Sequence, residues 1–157
     1  MPILNYTTQI DPAKSIGEII TILQRFGARS ITTDYDEYHF VSAITFIVSI
    51  EGAPLAIRLP INVEGVYQNL RQAKGVPSGK RTREQARRVA WRILKDWLEA
   101  QLALFQVGQA EVGQVLMPYA VDSAGRTVYD LFKAAHVKQL QAAPDNVVEG
   151  KFPAINE

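Results

Sequence analysis

The sequence contains no cysteine, and this absence excludes several kinds of chemistry. Without thiols there is no disulfide framework, no thiolate nucleophile, no Cys-ligated zinc site and no iron–sulfur cluster. Two histidines among 157 residues leave little room for a histidine-rich metal site. The longest apolar stretch, within residues 40–50, is interrupted by Ser42, Thr45 and Ser49, so we expect no membrane span.

The start of the chain also lacks the basic and apolar segments of a secretory signal, so we expect a cytoplasmic protein. Apolar residues make up 47% of the sequence and charged residues 21%, as is usual for globular domains. A chain of this length can bury about 70% of its unfolded surface. We therefore expect a single domain over residues 1–137 and a loose C-terminal tail over residues 138–157, where the hydrophobic periodicity ends.

The first predicted element is a helix over residues 12–26, with recognisable capping residues at both ends. Asp11 is a good N-cap, Pro12 fits the first helical position, and Gly27 provides a stop. Between them, apolar residues recur at helical spacing: Ile16, Ile19, Ile20, Leu23 and Phe26.

Residues 30–60 are typical of three antiparallel strands, with Glu51-Gly52 as a two-residue turn between the second and the third. This turn pairs Ile50 with Ala53 and places a set of apolar side chains on one face. The set consists of Ile44, Phe46, Val48, Leu55, Ile57 and Leu59. A shift of one residue would scramble the separation of the two faces, which supports this register.

After the sheet, Asn62 can cap a short helix that ends before Gly75, and a mobile loop is expected over residues 75–79. Thr82 and Gln85 form a capping box that opens the longest helix, over residues 83–107. Short helices are expected at residues 110–117 and 127–135. The predicted fold class is α+β, with a three-stranded antiparallel β-meander packed by the N-terminal helix and the long central helix.

The long helix carries a broad apolar arc opposite a charged one. Ten residues fill the apolar arc: Ala86, Val89, Ala90, Ile93, Leu94, Trp97, Leu98, Ala100, Leu104 and Phe105. The arc is wider than packing against a single neighbouring element requires, so we expect a second protomer to cover part of it in a homo-oligomer. Trp97 is expected in the core. Trp91 lies at the edge of the arc and is either an interface anchor or buried against the C-terminal segment.

Positive charge is concentrated in residues 71–99, although the net charge of the chain is only +1. This window holds nine basic and three acidic residues, whereas the rest of the chain holds eight basic and thirteen acidic ones. Such a concentration is typical of surfaces that contact phosphate backbones. The predicted contacts lie on a basic loop and helix: Lys80, Arg81, Arg83, Arg87, Arg88, Arg92 and Lys95.

The same charges also fit an ordinary solvated helix face. Three pairs of opposite charge are spaced four residues apart: Glu84 with Arg88, Arg92 with Asp96, and Lys95 with Glu99. An acidic protein partner is a third interpretation. The sequence leaves all three open.

Three aromatic residues flank the predicted turn between the first and second strands: Tyr35, Tyr38 and Phe40. Arg58 lies on the face of the sheet that carries both polar and apolar residues. Aromatic rings beside a cation can stack on the bases of a single strand. An ordinary half-buried hairpin edge explains the same residues.

No recognisable catalytic motif accompanies these features. Gly79-Lys80 is followed by Arg81 instead of the Ser or Thr of a phosphate-binding loop, and there is no Gly-x-Ser-x-Gly elbow. Four potential metal ligands stand in one run: Asp34, Asp36, Glu37 and His39. A polar turn explains them equally, and an enzyme would need two or more of them in one deep pocket. We expect no metal, no cofactor and no enzymatic activity.

Several stretches resemble a family of small uncharacterised proteins from tailed-phage and prophage genomes. They are residues 82–104, 116–119 and 125–129, together with residues 5–8, 15–19 and 58–60. The resemblance implies a viral origin and expression in a host's cytoplasm, and it supplies no activity.

The sequence thus predicts a non-enzymatic nucleic-acid-binding accessory protein of phage DNA metabolism, with DNA, single- or double-stranded, as the expected partner. The alternative is a phage protein-interaction module, either an inhibitor of a host enzyme or an oligomeric assembly factor.

Overall fold

The computed structural model describes residues 1–141, where five helices accompany a three-stranded antiparallel sheet of order β1-β2-β3. The helices are α1 (Pro12–Arg25), α2 (Val63–Gln72), α3 (Arg83–Gln106), α4 (Val112–Leu116) and α5 (Val128–Gln141). The strands are β1 (Ser30–Tyr35), β2 (Val41–Ile50) and β3 (Ala53–Pro60). The predicted α+β class is confirmed. Residues 142–157, most of the predicted tail, lie outside the described residues.

The local signals at the start and end of α1 act as predicted. The Asp11 carboxylate accepts the backbone N–H of Ala13 at 2.8 Å, and Pro12 occupies the first helical position. Gly27 adopts a φ of +82° just after the helix, a conformation that costs glycine little because it has no Cβ.

The predicted strand register is confirmed. Ile50 pairs with Ala53, and Phe46 pairs with Ile57. The turn has positive φ at both Glu51 and Gly52, as a two-residue hairpin loop requires. Ile44, Phe46, Val48, Ile57 and Leu59 are buried on one face. The sheet therefore presents one apolar face for helices to cover.

Helices α1 and α3 pack on that face, and α2 packs against α3. The main core joins the sheet to Ile19 and Leu23 of α1 and to Trp91 and Leu98 of α3. A second cluster joins α2 to the first turns of α3, through Val66, Leu70, Val76, Ala86, Val89 and Ala90. The breadth of the apolar arc on α3 is therefore explained within one chain, and the arc no longer argues for a homo-oligomer.

Of the two roles left open for Trp91, the structure contradicts the interface anchor. Its side chain is only 1% exposed and belongs to the main core, so it is not an interface anchor on the surface. The buried side of α3 is rotated from the predicted arc, since Lys95 is buried while Ala100 is exposed. Trp97, predicted in the core, is half-buried and packs edge-on against Tyr119.

The segment before α3, predicted as a mobile loop over residues 75–79, contains one buried residue. Val76 is 3% exposed and inserts into the second cluster, and a short 3-10 turn over Ser78–Lys80 follows it. Val76 therefore anchors this segment to the second cluster.

The C-terminal part is more helical than predicted. Helix α5 extends to Gln141, six residues beyond the expected end, so the first four residues of the predicted tail are helical. Ahead of it, Ala120 and Val121 contact the edge of β3 through an Ile57–Ala120 bridge and a bond from Val121 N–H to the Ala56 carbonyl. Within residues 1–141, no helix has the length and hydropathy needed to cross a bilayer.

Candidate nucleic-acid interface

Arginine and aromatic side chains alternate across α2, the start of α3 and the β1–β2 loop. The guanidinium of Arg83 lies 4.3 Å from the centre of the Tyr67 ring, and that of Arg71 lies 5.7 Å from it. One turn along α3, the guanidinium of Arg87 lies 3.6 Å from the centre of the Phe40 ring. We call these five residues the cation–aromatic stripe. Because Arg83 and Arg87 are four residues apart on α3, the three cations and two rings are neighbours along one side of this helix.

The stripe keeps much of its positive charge at the surface. Arg83 contacts Glu64 at 3.2 Å, but both side chains are more than half exposed, so water and salt screen this pair. A hydrogen bond from Gln68 lowers the pKa of Glu64, and Arg83 and Arg71 lower it further. Glu64 is thus ionised at neutral pH and compensates one of the three arginine charges.

Lys80 and Arg81 lie just before the first residue of α3, and a hydrogen bond holds the side chain of Arg81. The Nε of Arg81 donates to the Val76 carbonyl at 3.0 Å, which directs this side chain along the loop. Thr82 caps α3 by accepting the N–H of Gln85. Among the ion pairs of residues 1–141, none involves Lys80, Arg81 or Arg87.

Arg92 and Lys95 do not belong to this surface, contrary to the sequence-based interpretation. Arg92 has a 16% exposed side chain and donates to Glu18 of α1 at 2.6 Å. Lys95 has an 11% exposed side chain and is paired with Glu99 and Asp96. Helix α1 packs along α3 here, so these charges serve contacts within the chain and are not free for phosphates.

Arg88 is intermediate between the two groups. Its Nη2 donates to Glu84 at 2.7 Å, as its spacing predicted, and its side chain is 30% exposed. Of the seven predicted contact residues, Arg81 and Arg83 are exposed and Lys80 and Arg87 are partly exposed, all four just before α3 or in its first turns. Arg88 borders this group, whereas Arg92 is largely buried and Lys95 is buried.

Sequence reasoning missed two members of the stripe, Tyr67 and Arg71. Both are in α2 and four residues apart, a spacing that brings side chains together on a helix. The sequence suggests Phe40 as a stacking residue beside Arg58. In the structure Arg58 pairs with Asp34 at 3.1 Å, and Phe40 meets Arg87.

The acidic run at residues 34–39 forms a structured turn. The carboxylate of Asp36 accepts the N–H groups of Tyr38 and Phe40, both at 2.9 Å. Within the described residues, no group of three or more acidic or histidine side chains is arranged to hold a metal ion. These bonds fix the loop that presents Phe40 to Arg87.

A cleft of about 540 Å³ adjoins the stripe, between the start of α1, the β1–β2 loop and the start of α3. It is lined by Asp11, Pro12, Ala13, Ile16, His39, Phe40, Val41, Glu84, Arg87, Arg88 and Trp91. Of the four residues considered as metal ligands, His39 alone lines it. The cleft combines apolar walls with charges of both signs.

Comparison of the chain with protein families, with curated proteins and with solved structures finds no match. The resemblance to phage proteins is thus neither supported nor contradicted by relatives.

Proposed function

We propose that the protein is a non-enzymatic nucleic-acid-binding accessory protein that contacts phosphates through the loop at Lys80 and Arg81 and the first turns of α3. The cation–aromatic stripe is the observation that supports this most strongly. Cations attract the phosphate backbone, and neighbouring ring faces offer stacking surfaces to bases. Phe40, with 44% of its surface exposed, can still receive a base.

The biological setting of this proposal follows the resemblance given above. We propose a role in phage DNA metabolism, in the cytoplasm of a host cell. Because the contacts come from flexible cations and ring faces, binding should depend weakly on sequence and strongly on salt.

The test is fluorescence anisotropy with labelled single- and double-stranded DNA over a salt series. We compare the wild type with the double variant Arg83→Ala/Arg87→Ala. Loss of two phosphate contacts is expected to make the slope of log K against log salt shallower by about 1.4 to 1.8.

The matched control is Arg25→Ala/Arg29→Ala, which removes the same charge from exposed positions at the far end of α1. It should leave the slope of the wild type nearly unchanged. Absence of binding by the wild type at low salt, or equal slopes for the two double variants, would overturn the proposal.

A second candidate, the protein-interaction module, is favoured by a different observation. Every residue from 131 to 137 in α5 is exposed, and they include Leu131, Phe132 and Val137. Beside them lies an almost wholly apolar groove of about 380 Å³, between α5 and the segment at residues 113–118. For this candidate we propose a second copy of the chain as the partner.

A further inference from the structure

The cleft beside the stripe has the chemistry of a site for a flat, polar-edged ligand. Ile16 and Val41, both partly exposed, supply apolar surface, the Phe40 ring forms part of the wall, and the buried Trp91 lies behind them. Its volume of about 540 Å³ falls in the range of small-molecule sites, about 300–1,000 Å³. A ligand with apolar faces and hydrogen-bonding edges fits such walls.

The charged groups at the cleft supply both donors and acceptors. Asp11 uses one carboxylate oxygen to cap α1, and Glu84 uses one for Arg88, so each has a second oxygen for a ligand. Arg87 and Arg88 bring guanidinium N–H donors to the same cleft. Carboxylates accept from the exocyclic amines of bases, and guanidiniums donate to ring nitrogens and carbonyls.

The position of the cleft connects it with the backbone contacts. Arg87 and Phe40 belong both to the stripe and to the cleft lining. A strand whose phosphates follow the stripe can therefore turn one base into the cleft. A base paired within a duplex cannot enter without leaving its stack.

We propose that this cleft binds one nucleobase of a single-stranded nucleic acid and prefers bases that carry an exocyclic amine. This inference rests on the proposed function and adds to it the strand type and the base preference. Adenine and cytosine offer an amine to Asp11 or Glu84, whereas thymine offers none.

The test fills the cleft by substitution of a residue that is not a member of the stripe. Ala13 lines the cleft, is exposed, and takes part in the helix cap through its backbone N–H alone. Ala13→Trp is expected to weaken binding of a labelled dA 12-mer about tenfold. Ala13→Gln, a smaller change at the same position, should give an intermediate loss. Thermal unfolding of both variants verifies that they fold.

The control is Lys14→Trp, which places the same bulk at the next residue, outside the cleft lining. It should bind the dA 12-mer within about threefold of the wild type, because loss of one exposed cation changes few contacts. The wild type should bind dA and dC 12-mers more tightly than a dT 12-mer.

The outcomes separate the two proposals. If the wild type binds no DNA at low salt, the proposed function fails. If the wild type binds but Ala13→Trp binds as tightly, or if dT binds as well as dA and dC, the cleft proposal fails while the stripe proposal stands.

Discussion

The arginines of α3 have different roles, and the burial of each side chain decides which role it has. Arg83 is exposed and Arg87 partly exposed, each beside an aromatic ring, whereas Arg92 is held between α1 and α3 by Glu18. A partly buried charge is tolerated when it is paired, and it becomes costly when its partner is removed. The same side chain therefore serves binding at one position and stability at another.

Replacement of Arg92 tests this division. Arg92→Ala leaves the half-buried carboxylate of Glu18 without its partner, and we expect the free energy of unfolding to fall by about 1–3 kcal/mol. The salt dependence of DNA binding should be unchanged. Urea unfolding and the anisotropy salt series measure the two effects.

The control for Arg92 is the double variant Glu18→Ala/Arg92→Ala, which removes both charges. It should recover part of the lost stability, because no unpaired charge remains at this position. A shallower salt slope for Arg92→Ala, without loss of stability, would instead make Arg92 a phosphate contact.

Individual elements are held in place by side chains from distant parts of the chain. The amide of Gln85 donates to the carbonyls of Tyr6 and Thr8 at 2.9 and 2.8 Å, so it ties the N-terminal segment to α3. The predicted capping box is therefore only half correct. Thr82 caps the helix, but Gln85 bonds across the fold instead of back to Thr82.

The cap of α5 gives a prediction of pH dependence. Hydrogen bonds from the hydroxyl and the N–H of Thr127 lower the pKa of Asp130 below its ordinary 3.8, and the charge of Lys133 lowers it further. Since the folded pKa is the lower one, this contribution to stability is complete above pH 3.8 and is lost as the pH falls through the folded value.

Amide hydrogen exchange followed by NMR measures the effect. Protection of the first turn of α5 should decrease at acid pH in the wild type, while Asp130→Asn should show low protection and little change with pH. Lys133→Gln is the control, because it leaves the Thr127 bonds in place and should retain the acid transition. An equal acid response in the wild type and Asp130→Asn would contradict this cap.

At the scale of the whole molecule, the first three helices and the last one differ in how far their apolar residues are buried. Two clusters bury the apolar sides of α1, α2 and α3. Helix α5 differs, because it packs against the turn at Met117–Tyr119 and leaves Leu131 and Phe132 each 39% exposed. A helix of this length is marginally stable alone, so a second copy packed on α5 would add the burial it lacks.

Sedimentation velocity over a range of concentrations tests self-association. We expect the wild type to form a dimer, and we expect Phe132→Asp to shift it to monomer, because a charge at the contact must be desolvated without a partner. Gln139→Asp adds the same charge at an exposed polar position of α5 and should keep the dimer. A wild type that is monomeric at every concentration would rule out the second copy as partner.

The sequence by itself determined the features that depend on neighbouring residues. The cap at Asp11, the stop at Gly27, the turn at Glu51-Gly52 and the strand register follow from local backbone preferences and from the alternation of side chains. These rules operate within one element or between adjacent strands. For this reason the α+β fold class and most element boundaries could be predicted.

Only the tertiary structure decided which face of α3 is exposed to solvent. Helical spacing assigned Arg92 and Lys95 to a free surface, because it cannot show that α1 packs there with Glu18 in reach. Helical spacing also could not show that Tyr67 of α2 and Phe40 of the β1–β2 loop contact arginines of α3. Burial and charge pairing depend on how separate elements pack. Because of this packing, the candidate phosphate-binding surface is smaller than the basic window over residues 71–99 and lies at the start of α3.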